Sequence, residues 1–189
     1  MLFFKKRNSF LDARVPWMTY KVIGWLNHSL KKDWKVFEWG SGGSSLFFEE
    51  KVAFLFSVEH NPKWYRQIKR MLSKKVVYKL IKPESDGRGY RSTDVSFQGC
   101  SFRHYCRSIL TFPDNFFDLI SIDGRARNDC LKLARKKVKI GGYILLDNSE
   151  RKEYRRGINF LKGFVRRDFR GNGPVNEYPW QTTVFQRKT

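Results

Sequence analysis

The chain has 189 residues, 41% hydrophobic and 30% charged, with 6 Pro and 14 Gly; that leaves room for a real core and excludes a fibrous or disordered chain. Thirty-eight Lys and Arg against 18 Asp and Glu leave a formal charge of +20, which attracts acidic partners such as nucleic acid, anionic membrane or acidic small molecules and says nothing of the fold. Three cysteines, Cys100, Cys106 and Cys130, form no Cys-x-x-Cys or Cys/His pattern, so neither a disulfide framework nor a zinc site is expected, and a reducing, cytoplasmic setting is the simpler reading.

Near the N-terminus, Leu2-Phe3-Phe4 is too short an apolar run for a signal-peptide core, and no uncharged apolar stretch approaches the roughly 18 residues of a membrane span. The chain reads as one domain over 1–189, a helical segment at 1–34 followed by a sheet core at 35–189. Helical spacing over Pro16 to Leu30 opens it. Lys35 to Trp39 reads as a strand that stops at Gly40-Ser41-Gly42-Gly43-Ser44-Ser45, with a short helix after it. Ala53 to Val58 is a buried strand, Asn61-Pro62 starts a helix, and Val76 to Ile81 is a third strand. Residues 83–100 are irregular, a length of loop that is usually functional. Helical spacing returns at Phe102, Tyr105, Cys106, Ile109 and Leu110. A fourth strand spans Phe117 to Ile122, and a helix has its apolar face on Ala126, Cys130, Leu131, Ala134 and Val138. Gly141-Gly142 breaks the chain before a fifth strand at Tyr143 to Leu146. Residues 151–165 read as helical, and a turn at Gly171–Pro174 leads to a last strand at Thr182 to Gln186.

This alternation predicts an α/β class fold, a Rossmann-like, doubly wound and mostly parallel sheet with helices on both faces. Ligands of such sheets bind beyond the carboxyl ends of the strands. Those ends carry Glu38 and Gly40, then Glu59, Asp123, and Asp147-Asn148. The acids appear only where each strand leaves the core, as buried parallel strands require. Gly40-x-Gly42 begins a dinucleotide fingerprint whose third glycine is replaced by Ser45. Glu59, nineteen residues beyond Gly40, stands where a carboxylate accepts both hydroxyls of an adenosine ribose. Together they favour an adenosine-containing ligand over a purely structural turn.

These residues resemble the class I S-adenosylmethionine-dependent methyltransferases. The resemblance is carried by Glu38-x-Gly40-x-Gly42, Val58-Glu59-His60, Asp118 to Gly124, and Gly141 to Asp147, and it covers most of residues 15–150. It implies a seven-stranded sheet with an antiparallel last strand, and S-adenosyl-L-methionine as cofactor. The cofactor-binding residues would be Glu38, Gly40, Ser41, Gly42, Ser44 and Ser45 at the methionine part, Glu59 at the ribose and His60 at the adenosine. Ser44 departs from the family's third glycine, with a small side chain kept.

Asp123, Asp147 and Asn148 also resemble the metal site of the divalent-cation-dependent O-methyltransferases. Two carboxylates and an amide carbonyl suit Mg²⁺, which would lower the pKa of an acceptor hydroxyl. Capping of a following helix, or contact with the cofactor, is the competing reading of the Asp147-Asn148 pair. The lysine that often follows the strand-four acid is absent; Arg125 and Arg127 stand there and cannot act as bases. Asp123 and Lys152 are therefore the catalytic candidates. Arg125 and Arg127 suit a carboxylate or phosphate on the acceptor, and Arg151, Lys152, Arg155 and Arg156 add charge beside it. Trp17, Trp64 and Tyr65 have two readings, core packing or contact with the ligand.

The expected activity is transfer of a methyl group to a small hydroxylated, acidic sugar-like acceptor with metal assistance. Two alternatives stand beside it. One is methylation of RNA through the basic surface, which lacks an Asn/Asp-Pro-Pro-Tyr/Phe stretch after strand four. The other is a cofactor-binding subunit without catalysis.

Overall fold

The computed structural model describes residues 11–85 and 88–188. The apolar run Leu2–Phe4, read against a signal sequence, and Gly87 of the irregular segment lie outside them. In chain order the elements are α1 (Tyr20–Ser29), β1 (Lys35–Trp39), α2 (Gly43–Lys51), β2 (Phe54–Glu59), α3 (Pro62–Lys69) and β3 (Val77–Leu80). Then come α4 (Arg103–Arg107), β4 (Phe117–Ile122), α5 (Arg127–Lys137), β5 (Val138–Asp147), α6 (Arg155–Ile158), β6 (Val165–Gly171) and β7 (Trp180–Gln186).

The seven strands form one sheet in the order β3-β2-β1-β4-β5-β7-β6. β1 to β5 pair in parallel, and β7 runs antiparallel to both β5 and β6. Because side chains alternate across a strand, each central strand serves two cores. Val36, Leu55, Leu119 and Leu145 pack with Val22 and Leu26 of α1 and Phe48 of α2 on one face. Phe37, Trp39, Ile120 and Ile144 pack with Tyr105 and Cys106 of α4 and Cys130, Leu131 and Ala134 of α5 on the other. This is why the central strands read as unbroken apolar runs.

Four expectations are corrected. The first helix begins at Tyr20 rather than Pro16: Thr19 precedes it, its hydroxyl donating to the Phe169 carbonyl at 3.3 Å, and the chain before it lies against α2. β5 runs through Gly141-Gly142 instead of starting after them; the pairing register shifts there, and Gly141 takes φ +80°, a conformation that suits glycine. Residues 152–161 are helical as expected, as one run of 3₁₀ turns on either side of the four-residue α6, but the run stops short of 165, where β6 begins. A Cβ on Gly157 would meet Asn128 and Leu131 of α5 at 2.7 Å, so that segment folds close onto α5 as short pieces. Finally β6 falls where no strand is legible: of Val165-Arg166-Arg167-Asp168-Phe169-Arg170-Gly171, only Phe169 is buried. It is an edge strand whose charges suit an unpaired rim. No helix among the described residues is long and apolar enough to cross a membrane.

Candidate functional site

β1 and β4 are neighbours although β2 and β3 intervene in sequence, so the crossovers leave the sheet on opposite sides and a crevice opens between the strand ends. Gly40 and Gly124 form its floor. Gly40 has φ +92°, and a Cβ there would stand 2.6 Å from the Gly124 nitrogen. A Cβ on Gly124 would meet the Tyr105 hydroxyl at 1.9 Å. Only bare backbone fits at either position. Above this floor lies a cleft of about 370 Å³, lined among others by Trp17, Ser41, Glu59, His60, Trp64, Asp123 and Arg125.

Glu38 does not face this cleft. It is fully buried, points to the α2 side of the sheet, and accepts hydrogen bonds from Ser44 Oγ and Ser45 Oγ at 2.5 Å and Ser57 Oγ at 2.6 Å. Burial pushes its carboxyl up to about 7 against the pull of these three donors. Ser45 Oγ in turn accepts from the Gly42 N–H at 3.0 Å. Glu38, Ser44 and Ser45, expected at the ligand, thus hold the glycine turn from beneath: their polar atoms are turned on one another. Gly42 is buried in the same turn.

Glu59 stands at the cleft wall, and the next turn closes around it. Its Oε1 accepts from the His60 and Asn61 N–H groups, both at 2.8 Å, and lies 2.8 Å from His60 Nδ1. Its Oε2 accepts from the Ser41 N–H at 3.2 Å and Ser41 Oγ at 3.0 Å. Burial works to raise its pKa, yet these donors, His60 foremost, hold it below the usual carboxylate range. Ser41 Oγ also lies 2.6 Å from the Tyr78 hydroxyl, a second partner to which it can turn. Asn61 caps α3 through the Lys63 and Trp64 N–H groups. That fixes Trp64, whose Nε1 donates to the Ser41 carbonyl at 2.7 Å and whose ring stands 5.4 Å from that of Trp17. The two tryptophans therefore line the cleft as well as pack, which helical spacing alone could not show.

At the β4 and β5 ends the expected metal ligands converge on a side chain instead. Ala126 adopts a left-handed φ of 49°, which turns the first residue of α5, Arg127, back under the strand ends. Its guanidinium donates to the Gly124 carbonyl at 2.9 Å, the Asp147 carbonyl at 2.5 Å, and both the carbonyl and Oδ1 of Asp123 at 2.8 Å. Asn148 Oδ1 lies 3.4 Å away. The Asp147 carboxylate points elsewhere, accepting from Trp180 Nε1 at 3.0 Å and Thr182 Oγ1 at 2.5 Å on β7. Burial, then the charge of Asp123, pushes Asp147 up to about 7. Asp123, Asp147 and Asn148 are thus corrected from metal ligands to the setting of an internal cation. Among the described residues no group of three His, Cys, Asp or Glu side chains is placed to hold a metal ion.

Arg127 itself, 5% exposed, is a clamp between β4 and β5 and not an acceptor contact. Lys152 is exposed and lines neither the main cleft nor the hollow beside it; its neighbours Arg151 and Glu153 line that hollow. Asp123 does line the cleft, its side chain 31% exposed. The irregular segment contributes Phe97, whose ring lies 5.2 Å from that of His60 and 5.4 Å from the Arg125 guanidinium.

Sequence comparison finds no matching family model and no matching curated protein. Solved structures do match in fold. A protein from Corynebacterium glutamicum is 11% identical over 99% of this chain and 89% of its own, with a TM-score of 0.64. An rRNA methylase from Streptococcus thermophilus is 8% identical over 88% and 93%, with a TM-score of 0.61. A tRNA (m1A58) methyltransferase from Aquifex aeolicus is 13% identical over 87% and 66%, with a TM-score of 0.56. The chain has the Rossmann-like fold of the class I methyltransferases.

Proposed function

We propose that the protein is an S-adenosylmethionine-dependent methyltransferase whose cofactor occupies the cleft over Gly40 and Gly124. The observation that carries this reading is the pairing of a side-chain-free floor, where a Cβ at either glycine would collide, with a buried carboxylate, Glu59, at the wall of the same cleft. Its volume of about 370 Å³ lies within the range of small-molecule sites. The residues suited to hold the cofactor are Gly40, Ser41 and Gly42 of the turn, Glu59 as acceptor for hydroxyl groups, and His60 and Trp64 as flanking rings. Glu38, Ser44 and Ser45 keep the turn in place.

The bound cofactor would supply an electrophilic methyl group on sulfonium. The chain's part is to orient and to exclude water. Glu59 enters the encounter ionised and already desolvated, so a hydroxyl pair replacing Ser41 Oγ meets a fixed acceptor. The floor lets a ligand approach the main chain. Asp123, anchored through one oxygen by Arg127, is the carboxylate best placed to orient the acceptor or accept its proton. Metal-assisted O-methylation loses its support, because Arg127 takes the place of the cation. The nature of the acceptor atom thus rests on the surroundings of Asp123, and transfer to oxygen is kept as the working proposal.

Calorimetric titration with S-adenosylmethionine and S-adenosylhomocysteine tests the reading. Micromolar binding of either, weakened at least tenfold by Glu59→Ala, supports it; no binding by the folded wild-type protein overturns it. Methylation of RNA is a second proposal, favoured by the +20 charge. It predicts an RNA affinity falling steeply with salt.

A further inference from the structure

A second, smaller hollow of about 160 Å³ adjoins the cleft and shares Gly124 and Arg125 with it. Ser92, Asp94, Arg151 and Glu153 are among its other walls. It is too small for a nucleoside and large enough for one charged group with a water or two. Its two arginines differ in how they are matched. Arg125 pairs with Asp94 at 3.1 Å through one terminal nitrogen, but its Nε is buried and meets no acceptor among the described residues. Arg151 is exposed, and its side chain makes no hydrogen bond or contact ion pair among them. Of the two acids, Asp94 accepts from the Ser96 N–H at 3.0 Å as well as from Arg125, while Glu153 is exposed.

Arg125 lines the hollow, and a guanidinium presents the fork that carboxylates and phosphates bind in bidentate fashion. Arg125 is also held in place, its guanidinium lying against Phe97 and its backbone following Gly124. Asp94 is then an internal anion that satisfies half of the fork.

We infer that the hollow is an oxyanion subsite: Arg125 and Arg151 grip a carboxylate or phosphate group carried by the methyl acceptor, and the incoming anion takes Arg125 from Asp94. The inference rests on the reading that the adjoining cleft holds S-adenosylmethionine. It places the acceptor's reacting atom within one small molecule's length of its charged group, across Gly124 and Arg125. Because Asp94 belongs to the same segment as Phe97, release of the Asp94–Arg125 pair ties acceptor binding to movement of the wall that also lines the main cleft.

The test is titration of the protein, free and loaded with S-adenosylhomocysteine, with inorganic phosphate and separately with malonate in 150 mM chloride, followed by the arginine Nε–H resonances. The expected result is saturable binding of at least one anion with a shift of the Arg125 resonance. Arg125→Gln and Arg151→Gln should each weaken it at least tenfold, Arg125→Lys should not restore it, and Asp94→Asn should tighten it several-fold. Lys74→Gln, which removes one charge at a distant exposed position, should change nothing. A response to phosphate alone assigns a phosphorylated acceptor, and to malonate alone a carboxylic one. Absence of saturable binding, or equal losses in Arg125→Gln and Lys74→Gln, overturns the inference. Arg151→Gln alters an exposed side chain and so keeps the test valid if Arg125→Gln fails to fold. Failure of S-adenosylhomocysteine to bind would instead remove the cofactor reading, while the anion titration of the free protein still reports on the hollow.

Discussion

Replacing Arg127 by methionine keeps an unbranched side chain of similar length while removing every donor. The wild-type guanidinium serves three main-chain carbonyls (Asp123, Gly124 and Asp147) and the Asp123 carboxylate from a position 5% exposed. Leaving a buried ionic partner uncompensated costs about 3–5 kcal/mol. In a domain of this length each kcal/mol corresponds to roughly 2–4 °C in Tm, so the melting point should fall by on the order of 10 °C. Part of the loss depends on pH. Asp147 has an ordinary value of 3.8 and a native one of about 7, and losing Arg127 raises the native value further. At pH 5 native Asp147 is protonated with or without Arg127, so its contribution to the difference is absent. At pH 8 it is ionised in the wild type and held protonated or strained in Arg127→Met, which adds at most about 1.4 kcal/mol, because pH 8 lies about one unit above the wild-type value. Urea denaturation at pH 5 and pH 8, followed by circular dichroism, measures both parts. A loss below about 1 kcal/mol at both pH values would refute the clamp. Recovery of stability by millimolar Mg²⁺ in Arg127→Met would show that these four oxygens form a cation site after all.

Glu38, with an ordinary value of 4.5 and a native one of about 7, lowers stability progressively as pH rises from 4.5 to 7, by about 3 kcal/mol when complete. Glu38→Gln should remove that share of the slope in denaturation midpoints between pH 5 and 8, leaving the Asp147 share; an unchanged slope would mean that Glu38 is ionised throughout. Gly124→Ala should destabilise by about 1–3 kcal/mol through overpacking, because its Cβ would meet the Tyr105 hydroxyl at 1.9 Å. Adding Tyr105→Phe should recover much of this in thermal melts, whereas no recovery would place the clash on the Gly40 backbone instead. Ser41→Ala removes the hydroxyl that occupies Glu59 Oε2, so S-adenosylhomocysteine should bind as tightly or a few-fold tighter by calorimetry. A tenfold loss would make that hydroxyl a ligand contact.

The strand ends were legible because burial dictates composition locally. A parallel strand covered on both faces seldom admits a carboxylate before it leaves the core, and Glu38 does so only with three serine donors around it, so Glu59 and Asp123 announced the mouth of the cleft, and Gly40 announced a backbone with no room for a side chain. What each acid does there was settled by residues far along the chain. Trp180 and Thr182 of β7 take the Asp147 carboxylate, and Ser57 of β2 reaches Glu38. The run from Asp123 to Arg127 reads as an acid followed by surface arginines. Only the left-handed turn at Ala126 folds the second arginine inward, and a cation of the chain's own then meets the oxygens that resemble a metal site. β6 was invisible for a related reason: an edge strand buries little, so its pairing with β7 leaves almost no trace in hydropathy. Sequence alone determined the layered fold and the end of the sheet at which the cleft opens, because solvent exclusion acts residue by residue. Partner choice among buried polar groups was left to tertiary structure, since it depends on which elements the crossovers bring within hydrogen-bonding distance.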